Sequence, residues 1–169
     1  MEIMESILTR RSIRDYTNIL VPEDLIIKII KAGMYAPSAG NQRAWQFIVI
    51  NDRNILDKIP EIHPYSQMLK KSNVAILVCG DKSLQKHQDF WAQDCSAATQ
   101  NMLLAIHSLG LGGVWLGIYN IIERVEGIKK LLNLPEYITP FSLIPIGYPK
   151  DSVENTERFD KEKIHYNGW

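Results

Sequence analysis

The chain has 169 residues, of which 46% are hydrophobic and 22% charged, and its 19 basic residues balance 19 acidic ones. This length suits a single domain over residues 1–169, which can bury a substantial core. The composition excludes a disordered chain, which would have fewer apolar residues and a net charge. The lack of net charge argues against a general nucleic-acid binder.

The N-terminal residues and the cysteines indicate a cellular compartment. Acidic Glu2 and Glu5 precede the first arginines, and no long apolar region follows, unlike a signal peptide. No apolar run approaches the roughly 18 residues of a membrane span. Cys79 and Cys95 stand in apolar surroundings and are expected to be buried free thiols. We therefore expect a cytoplasmic protein that does not act at a membrane.

Hydrophobic periodicity predicts an alternation of helices and strands. In chain order, the predicted elements are a helix over residues 2–9, a helix from Pro22 that ends before Pro37, a loop over 36–44, strands over 45–50 and 74–79, a long helix over about 88–109, a strand over 114–117, a helix over 121–132 and a strand over 141–146. Pro22 is a favourable first helical residue, and the residue before Pro37 avoids the α region. Apolar strands wrapped by helices indicate an α+β fold.

The longest predicted helix is apolar on nearly every side. One stripe recurs at intervals of three and four residues, formed by Trp91, Cys95, Ala98, Met102, Ala105 and Leu109. Other apolar residues lie on the remaining faces, namely Ala97, Leu103, Leu104 and Ile106. Such a helix is normally buried on more than one side, which in a small domain suggests that a second subunit covers part of it. The aromatic chain end, HYNGW, is expected to dock as well, and the partner subunit is one place for it.

Three arginines and a serine follow the first helix: Arg10, Arg11, Ser12 and Arg14. Guanidinium groups match the geometry of phosphate, and a hydroxyl adds a donor. The cluster therefore suits a phosphorylated ligand. Alternatively, arginines in a last helical turn simply favour the negative end of the helix dipole, and the pattern alone favours this second interpretation.

The loop over residues 36–42 has the sequence APSAGNQ. Small residues let a backbone approach a ligand closely, and the side chains of Ser38 and Asn41 can form hydrogen bonds with the edge of a ring. An ordinary turn between a helix and a strand would have the same composition, which alone favours the turn.

A glycine-rich segment, GLGGVWLG, occupies residues 110–117. A dinucleotide fingerprint would require glycine where Trp115 stands and would follow a strand, whereas this segment follows a helix. Two interpretations stay open: a helix end followed by an ordinary core strand, or a strand whose backbone faces a flat ligand.

No motif for metal binding or hydrolysis stands out. The four histidines have no metal-ligand spacing; they are His63, His87, His107 and His165. His107, on the long helix, is expected to be structural. Asp94 and Glu123 are isolated acids, expected to be solvated or capping rather than catalytic. An enzyme without its own nucleophile or metal needs a cofactor.

Taken together and in order, these segments resemble the nitroreductase family of FMN-dependent oxidoreductases. The matching segments are RRSIR, APSAGNQRAWQF, VAILVCGD, the alanine-rich long helix, GLGGVWLG and RFDKEKIHYNGW. They cover essentially the whole chain. The resemblance implies a central mixed sheet flanked by helices and an intertwined homodimer with two FMN sites at the interface, each built from both subunits.

The resemblance also implies the residues that bind FMN. They are Arg10, Arg11, Ser12, Arg14, Pro37, Ser38, Ala39, Asn41, Gln67, Leu116, Gly117 and Arg158. Arg10, Ser12 and Arg158 would hold the phosphate end, and Arg14 would lie near the N1–O2 edge of the flavin. A cation at that edge stabilises the anionic reduced flavin.

The remaining positions would approach other parts of the flavin. The loop over residues 37–41 would reach the FMN of the other subunit. Leu116 and Gly117 would lie beside the ring with a backbone N–H near N5, and Gln67 near the pyrimidine edge.

The chain departs from the family pattern just after the loop over residues 37–41. The family often continues this loop as N-x-Q-P-W, whereas here Arg43 and Ala44 precede Trp45. Gln42 is expected to replace the usual glutamine.

The implied reaction is a ping-pong transfer. NAD(P)H gives a hydride to flavin N5 and leaves, and a small-molecule acceptor, customarily a nitroaromatic compound or a quinone, is then reduced by two electrons. No side chain is assigned a catalytic role. Two alternatives stay open: a specialised relative that performs reductive dehalogenation or flavin fragmentation, and an FMN-binding carrier or sensor without turnover.

Overall fold

The computed structural model describes residues 2–169, which form five α-helices and five strands. The helices are α1 (Ile3–Thr9), α2 (Glu23–Met34), α3 (Arg53–Ile62), α4 (Trp91–Ser108) and α5 (Ile122–Leu132). The strands are β1 (Trp45–Ile50), β2 (Val74–Asp81), β3 (Gly112–Gly113), β4 (Leu116–Gly117) and β5 (Ile138–Gly147). The expected α+β class is confirmed.

The strands form one sheet in the order β1-β2-β5-β3, and β4 also pairs with β5. Every pairing within residues 2–169 is antiparallel, so the expectation of a mixed sheet is wrong for this chain. The reason lies in the chain path. β2, β3 and β4 all run in the same direction, and each of them pairs with β5, which runs the opposite way. Parallel strands are therefore never neighbours.

Helices cover both faces of the sheet, which explains why β2 and β5 are buried along their whole length. Successive strand residues point to opposite faces. Ile76 therefore belongs to the core beneath α2 and α4, with Ile29 and Met102. Its neighbour Leu77 belongs to the second core, which includes Leu56 of α3.

Most predicted elements are confirmed within a few residues. The predicted strand over 114–117 is instead divided into β3 and β4, separated by Val114 and Trp115. α3 was not predicted, although Asp52 caps its N-terminus by accepting a hydrogen bond from the backbone N–H of Asn54 at 2.8 Å. Residues 2–169 contain no helix with the length and apolar character that a bilayer crossing requires.

Both cysteines are buried and free, as expected. Cys79 lies on β2 and Cys95 on α4. Burial raises the pKa of the Cys79 thiol to about 12 and also raises the pKa of Cys95, mainly by the same desolvation. Both thiols are therefore protonated and unreactive in the folded chain.

The two ends of the chain lie outside these cores. α1 exposes four apolar side chains, those of Ile3, Met4, Ile7 and Leu8. Residues 151–169 are exposed throughout, including Phe159 and Trp169. Isolated exposed apolar residues are normal, but an exposed contiguous apolar patch marks an interaction surface.

Candidate functional site

A cavity of about 490 Å³ opens beside β4, and we call it the β4 cavity. Four of the predicted binding residues line it: Arg14, Gln67, Leu116 and Gly117. The structure thus brings together three separate stretches of the chain. Its other lining residues are His63, Tyr65, Met68, Trp115 and Arg124. Among residues 2–169 no carboxylate lines this cavity, so its two guanidinium groups make it electropositive.

Gly117 supplies an open backbone face within the β4 cavity. Its pairing opposite Ser142 on β5 holds the strand in place. A Cβ atom built on Gly117 would meet no heavy atom within 4 Å. A flat ligand can therefore approach this backbone closely, which favours the ligand-facing interpretation of the GLGGVWLG segment over that of an ordinary core strand.

Two side chains fix the carbonyl group of Gly117. Arg124 donates from Nη1 to the carbonyl oxygen at 2.8 Å, and Nε2 of His63 lies 3.1 Å from the same oxygen. Because a carbonyl oxygen can only accept, the proton of a neutral His63 is on Nε2. No periodic pattern or motif in the sequence signals either contact, because the contacts join Gly117 to residues 7 and 54 positions away.

His63 is a buried, neutral histidine. Its side chain is 2% exposed, and its Nδ1 atom has no hydrogen-bond partner within residues 2–169. Burial lowers the pKa of His63, and the positive charge of Arg124 lowers it further. His63 therefore stabilises the site as an uncharged donor at neutral pH.

A second cavity, of about 440 Å³, lies between α1 and the C-terminal tail, and Arg11 and Arg158 line it. Arg10 lies close to both. Burial lowers its pKa, and the positive charges of Arg158 and Arg11 lower it further. Glu157 also lines this cavity, but its carboxylate accepts hydrogen bonds from the backbone N–H groups of Arg158 and Phe159. The result is a cluster of three guanidinium groups.

Arg11 also has a structural part in this cluster. It donates to the carbonyl oxygens of Arg10 at 2.8 Å and Thr156 at 3.2 Å, and to the side chain of Asn155. These bonds tie the tail to the end of α1. Arg11 Nε is buried without a partner within residues 2–169. Ser12, which is half-buried, lies in the chain between Arg11 at one cavity and Arg14 at the other.

The loop over residues 36–43 is held by Asp94 of α4. The Asp94 carboxylate accepts from the backbone N–H of Ala39 at 2.8 Å and from Nε2 of Gln42 at 2.6 Å. Asp94 was expected to be solvated or capping. That expectation is wrong, because the side chain is only 3% exposed and anchors the loop.

Gln42 also points inward and is buried. Its Oε1 accepts from the backbone N–H groups of Lys86 and His87, at 2.9 and 3.0 Å. Pro37 and Asn41 are exposed, and the Ser38 hydroxyl accepts from the Arg43 N–H at 3.0 Å. None of the predicted loop residues lines the β4 cavity of the same chain.

His107 and Glu123 line neither of these two cavities. His107 is structural, as expected, since its Nε2 lies 2.8 Å from the hydroxyl of Thr9 on α1. Glu123 is exposed, as expected of a solvated acid. No group of three or more His, Cys, Asp or Glu side chains in the described part of the chain is arranged to hold a metal ion.

Comparison with known proteins identifies the family. The sequence model of the Nitroreductase family matches residues 7–63 and 61–148. Over 169 residues the chain is 53% identical to a Methanothermobacter thermautotrophicus protein provisionally named NADH dehydrogenase/NAD(P)H nitroreductase, covering 100% of this chain and 88% of that protein.

Solved structures share the fold over nearly the whole chain. A Parabacteroides distasonis crystal structure with the same provisional name has a TM-score of 0.96 and 43% identity, covering 99% of this chain and 98% of that one. A provisionally named nitroreductase from Desulfovibrio desulfuricans, in complex with FMN, has a TM-score of 0.86 and 30% identity, covering 100% and 98%. The chain therefore belongs to the nitroreductase family.

Proposed function

We propose that the protein binds FMN and transfers electrons from NAD(P)H to small acceptors, with nitroaromatic compounds and quinones among them. The observation that carries this proposal is the β4 cavity. It combines the open backbone face of Gly117 with the guanidinium of Arg14 and has no carboxylate in its lining. An aromatic ring system that becomes anionic on reduction suits such a site.

The donor groups of the described residues fit FMN at both of its ends. Arg14 and Gln67 are side-chain donors in the β4 cavity, suited to the polar edge of a flavin. Arg158 lines the second cavity and Arg10 lies close to Arg158, so both cations suit a phosphate group. Arg11 contributes charge there while it anchors the tail.

FMN, when bound, supplies the redox chemistry by accepting a hydride and passing two electrons on. The chain's own residues provide position and charge. Arg14 would stabilise negative charge at the flavin edge, and Gly117 would offer its backbone N–H to the ring. His63 and Arg124 keep the Gly117 peptide in one orientation through its carbonyl oxygen.

For a nitroaromatic acceptor the proposed reaction is ArNO2 + NAD(P)H + H⁺ → ArNO + NAD(P)⁺ + H2O. The donor loses a hydride, and the nitro group gains two electrons and releases one oxygen as water. In the proposed ping-pong order, the oxidised nicotinamide leaves the site before the acceptor enters it.

The working form is proposed to be a homodimer. α1 exposes a contiguous apolar face, and a groove of about 400 Å³ runs beside it between α2 and α4, lined by residues that include Ile3, Tyr35 and Leu104. The tail over residues 151–169 is exposed throughout. A second copy that covers these surfaces would also carry the loop over 37–41 to the partner's FMN.

The test begins with the absorbance spectrum and flavin content of the purified protein. We expect close to one FMN per chain, the mass of a dimer in solution, bleaching of the flavin by NADH or NADPH without oxygen, and reoxidation by a quinone. Bound flavin that neither nucleotide reduces would indicate a carrier or sensor instead. A protein that takes up no FMN would refute the proposal.

A further inference from the structure

Arg124 is a cation of the β4 cavity that the proposed binding of FMN does not use directly. Its side chain is partly buried on the first turn of α5. Nη1 donates to the carbonyl oxygen of Gly117 at 2.8 Å, and the guanidinium carbon lies 5.7 Å from the ring centroid of Tyr65. The group is therefore held in place by two contacts.

No acid neutralises this guanidinium within residues 2–169. The four ion pairs of the described chain involve Lys28, Arg53, Lys71 and Lys163. The lining of the cavity contains no aspartate or glutamate either. A guanidinium has five N–H donors, and the hydrogen bond to Gly117 uses only a donor on Nη1. Arg124 thus retains both its charge and free donors.

The charge of Arg124 acts on the interior of the cavity. It is one of the causes that lower the pKa of His63, which shares the carbonyl oxygen of Gly117. Burial is the larger cause, and with its pKa lowered below 6.5 the imidazole of His63 does not replace Arg124 as a cation at neutral pH. Arg14 is assigned to the flavin edge, so Arg124 is the cation that remains for a second ligand.

Two aromatic side chains line the same cavity as this cation. Tyr65 is 71% exposed and Trp115 is 36% exposed, and both line the same cavity. Exposed aromatic faces favour planar ligands, because stacked rings gain more than their area of contact alone. A guanidinium favours a carboxylate through two parallel hydrogen bonds.

We propose that Arg124 selects electron acceptors that carry a carboxylate, or a similar anionic group, on a planar aromatic ring. This inference rests on the proposed function, since it names the substrate class of the same site. For 4-nitrobenzoate the nitro group gains two electrons from NAD(P)H and releases one oxygen as water. The carboxylate bound by Arg124 is unchanged.

The experiment compares kcat/KM for 4-nitrobenzoate with kcat/KM for the neutral 4-nitrobenzamide in the FMN-loaded protein. The ratio of the two values is measured in the wild type, R124Q, R124K and K130Q. Intrinsic differences in reactivity between the acceptors cancel when ratios are compared between variants. We expect R124Q to lower the ratio about tenfold, because a charge-assisted hydrogen bond is lost.

The other variants are matched controls. R124K keeps the positive charge and should retain most of the preference. K130Q removes a positive charge from an exposed position on the same helix and should leave the ratio unchanged. Sodium chloride should lower the wild-type ratio, since salt screens the attraction. This salt response still tests the proposal if R124Q does not retain FMN.

A binding measurement gives a readout independent of turnover. The oxidised, FMN-loaded protein is titrated with benzoate and with benzamide, and the flavin spectrum is followed. R124Q should raise the Kd for benzoate about tenfold more than it raises the Kd for benzamide. An unchanged benzoate Kd and an unchanged acceptor ratio in R124Q would overturn the inference.

Two further outcomes separate this inference from neighbouring ideas. If R124Q raises KM for NADPH and leaves the acceptor ratio unchanged, Arg124 serves the donor and the inference is wrong. If neither nucleotide bleaches the flavin, the proposed function fails. In that case the benzoate titration still decides whether Arg124 binds an aromatic anion.

Discussion

The carboxylate of Asp94 accepts a 2.6 Å hydrogen bond from Nε2 of Gln42, and both side chains are buried. The same carboxylate accepts from the backbone N–H of Ala39. A buried charge is stable only when its hydrogen bonds are satisfied, and here those bonds come from one loop. α4 therefore fixes the shape of the loop that is proposed to reach the partner's FMN.

Asp94→Ala should destabilise the fold and loosen this loop. The substitution removes two hydrogen bonds to a carboxylate and leaves the buried Nε2 of Gln42 and the partly buried N–H of Ala39 without partners. Such losses cost about 3 kcal/mol in free energy of unfolding, which urea denaturation measures. Glu123→Ala removes an exposed acid and should cost less than about 0.5 kcal/mol. Equal stabilities for the two variants would contradict the anchoring role.

Gly117→Ala separates binding from folding. Its Cβ would enter open space in the β4 cavity, so the free energy of unfolding of the apoprotein should change by less than about 1 kcal/mol. The methyl group would occupy the space proposed for the flavin ring, so the Kd for FMN should rise at least about tenfold. Fluorescence titration with FMN measures this. Unchanged FMN affinity would place the flavin elsewhere.

Gly80→Ala is the matched contrast. A Cβ on Gly80 would collide with the indole ring of Trp91, a buried side chain at the start of α4. Overpacking of this kind costs about 1–3 kcal/mol in free energy of unfolding. Gly80→Ala should therefore lower the stability of the apoprotein, in contrast to Gly117→Ala, and thermal unfolding of both variants checks the difference.

Stability should fall as the pH is lowered through the range of His63. Burial and the charge of Arg124 hold the pKa of His63 below its ordinary value of 6.5 in the folded chain. Above pH 6.5 His63 is neutral in both states, and its contribution is fully present. Below that pH the unfolded chain takes up the proton first, so the free energy of unfolding decreases until the folded pKa is reached.

His63→Gln tests this dependence, because glutamine can donate to the Gly117 carbonyl oxygen but does not titrate. Urea denaturation between pH 8 and pH 5 should show a smaller decrease for the variant than for the wild type. His107, whose pKa is also lowered, mainly by burial, remains in both proteins and cancels in the difference. Identical pH profiles would mean that His63 is protonated as easily in the fold as in the unfolded chain.

The sequence predicts the elements well where one physical rule dominates. The stripe of α4 and the apolar run over residues 74–79 of β2 follow directly from periodicity and burial. The pairing direction of β2 and β5 does not follow from them, because strands buried on both faces look alike whether their neighbours are parallel or antiparallel. α3 was missed although Leu56 and Ile59 are buried at helical spacing.

The site was predictable only in part, for a similar reason. Motif residues such as Arg14 and Gly117 stand in segments that resemble the family, and the fold brings them to one cavity. Other parts of the site depend on hydrogen bonds between residues that are 7 to 55 positions apart in the chain, namely those of His63, Asp94 and Arg124. No local pattern records such contacts, so an isolated acid and a lone histidine could not be told from solvated side chains.

Arg158 is the residue at which the proposed phosphate end of the site can be tested separately from the flavin ring. Arg158 lies on the exposed tail, and its charge is close enough to Arg10 to lower that group's pKa. Arg158→Gln should weaken the binding of FMN by about 10- to 100-fold, because a guanidinium–phosphate hydrogen bond is lost. Riboflavin lacks the phosphate, so its Kd should change by less than about twofold. Lys161→Gln removes a nearby exposed charge and serves as the control. Parallel titrations with the two flavins make the comparison, and an equal loss for both would mean that Arg158 supports the tail rather than the phosphate.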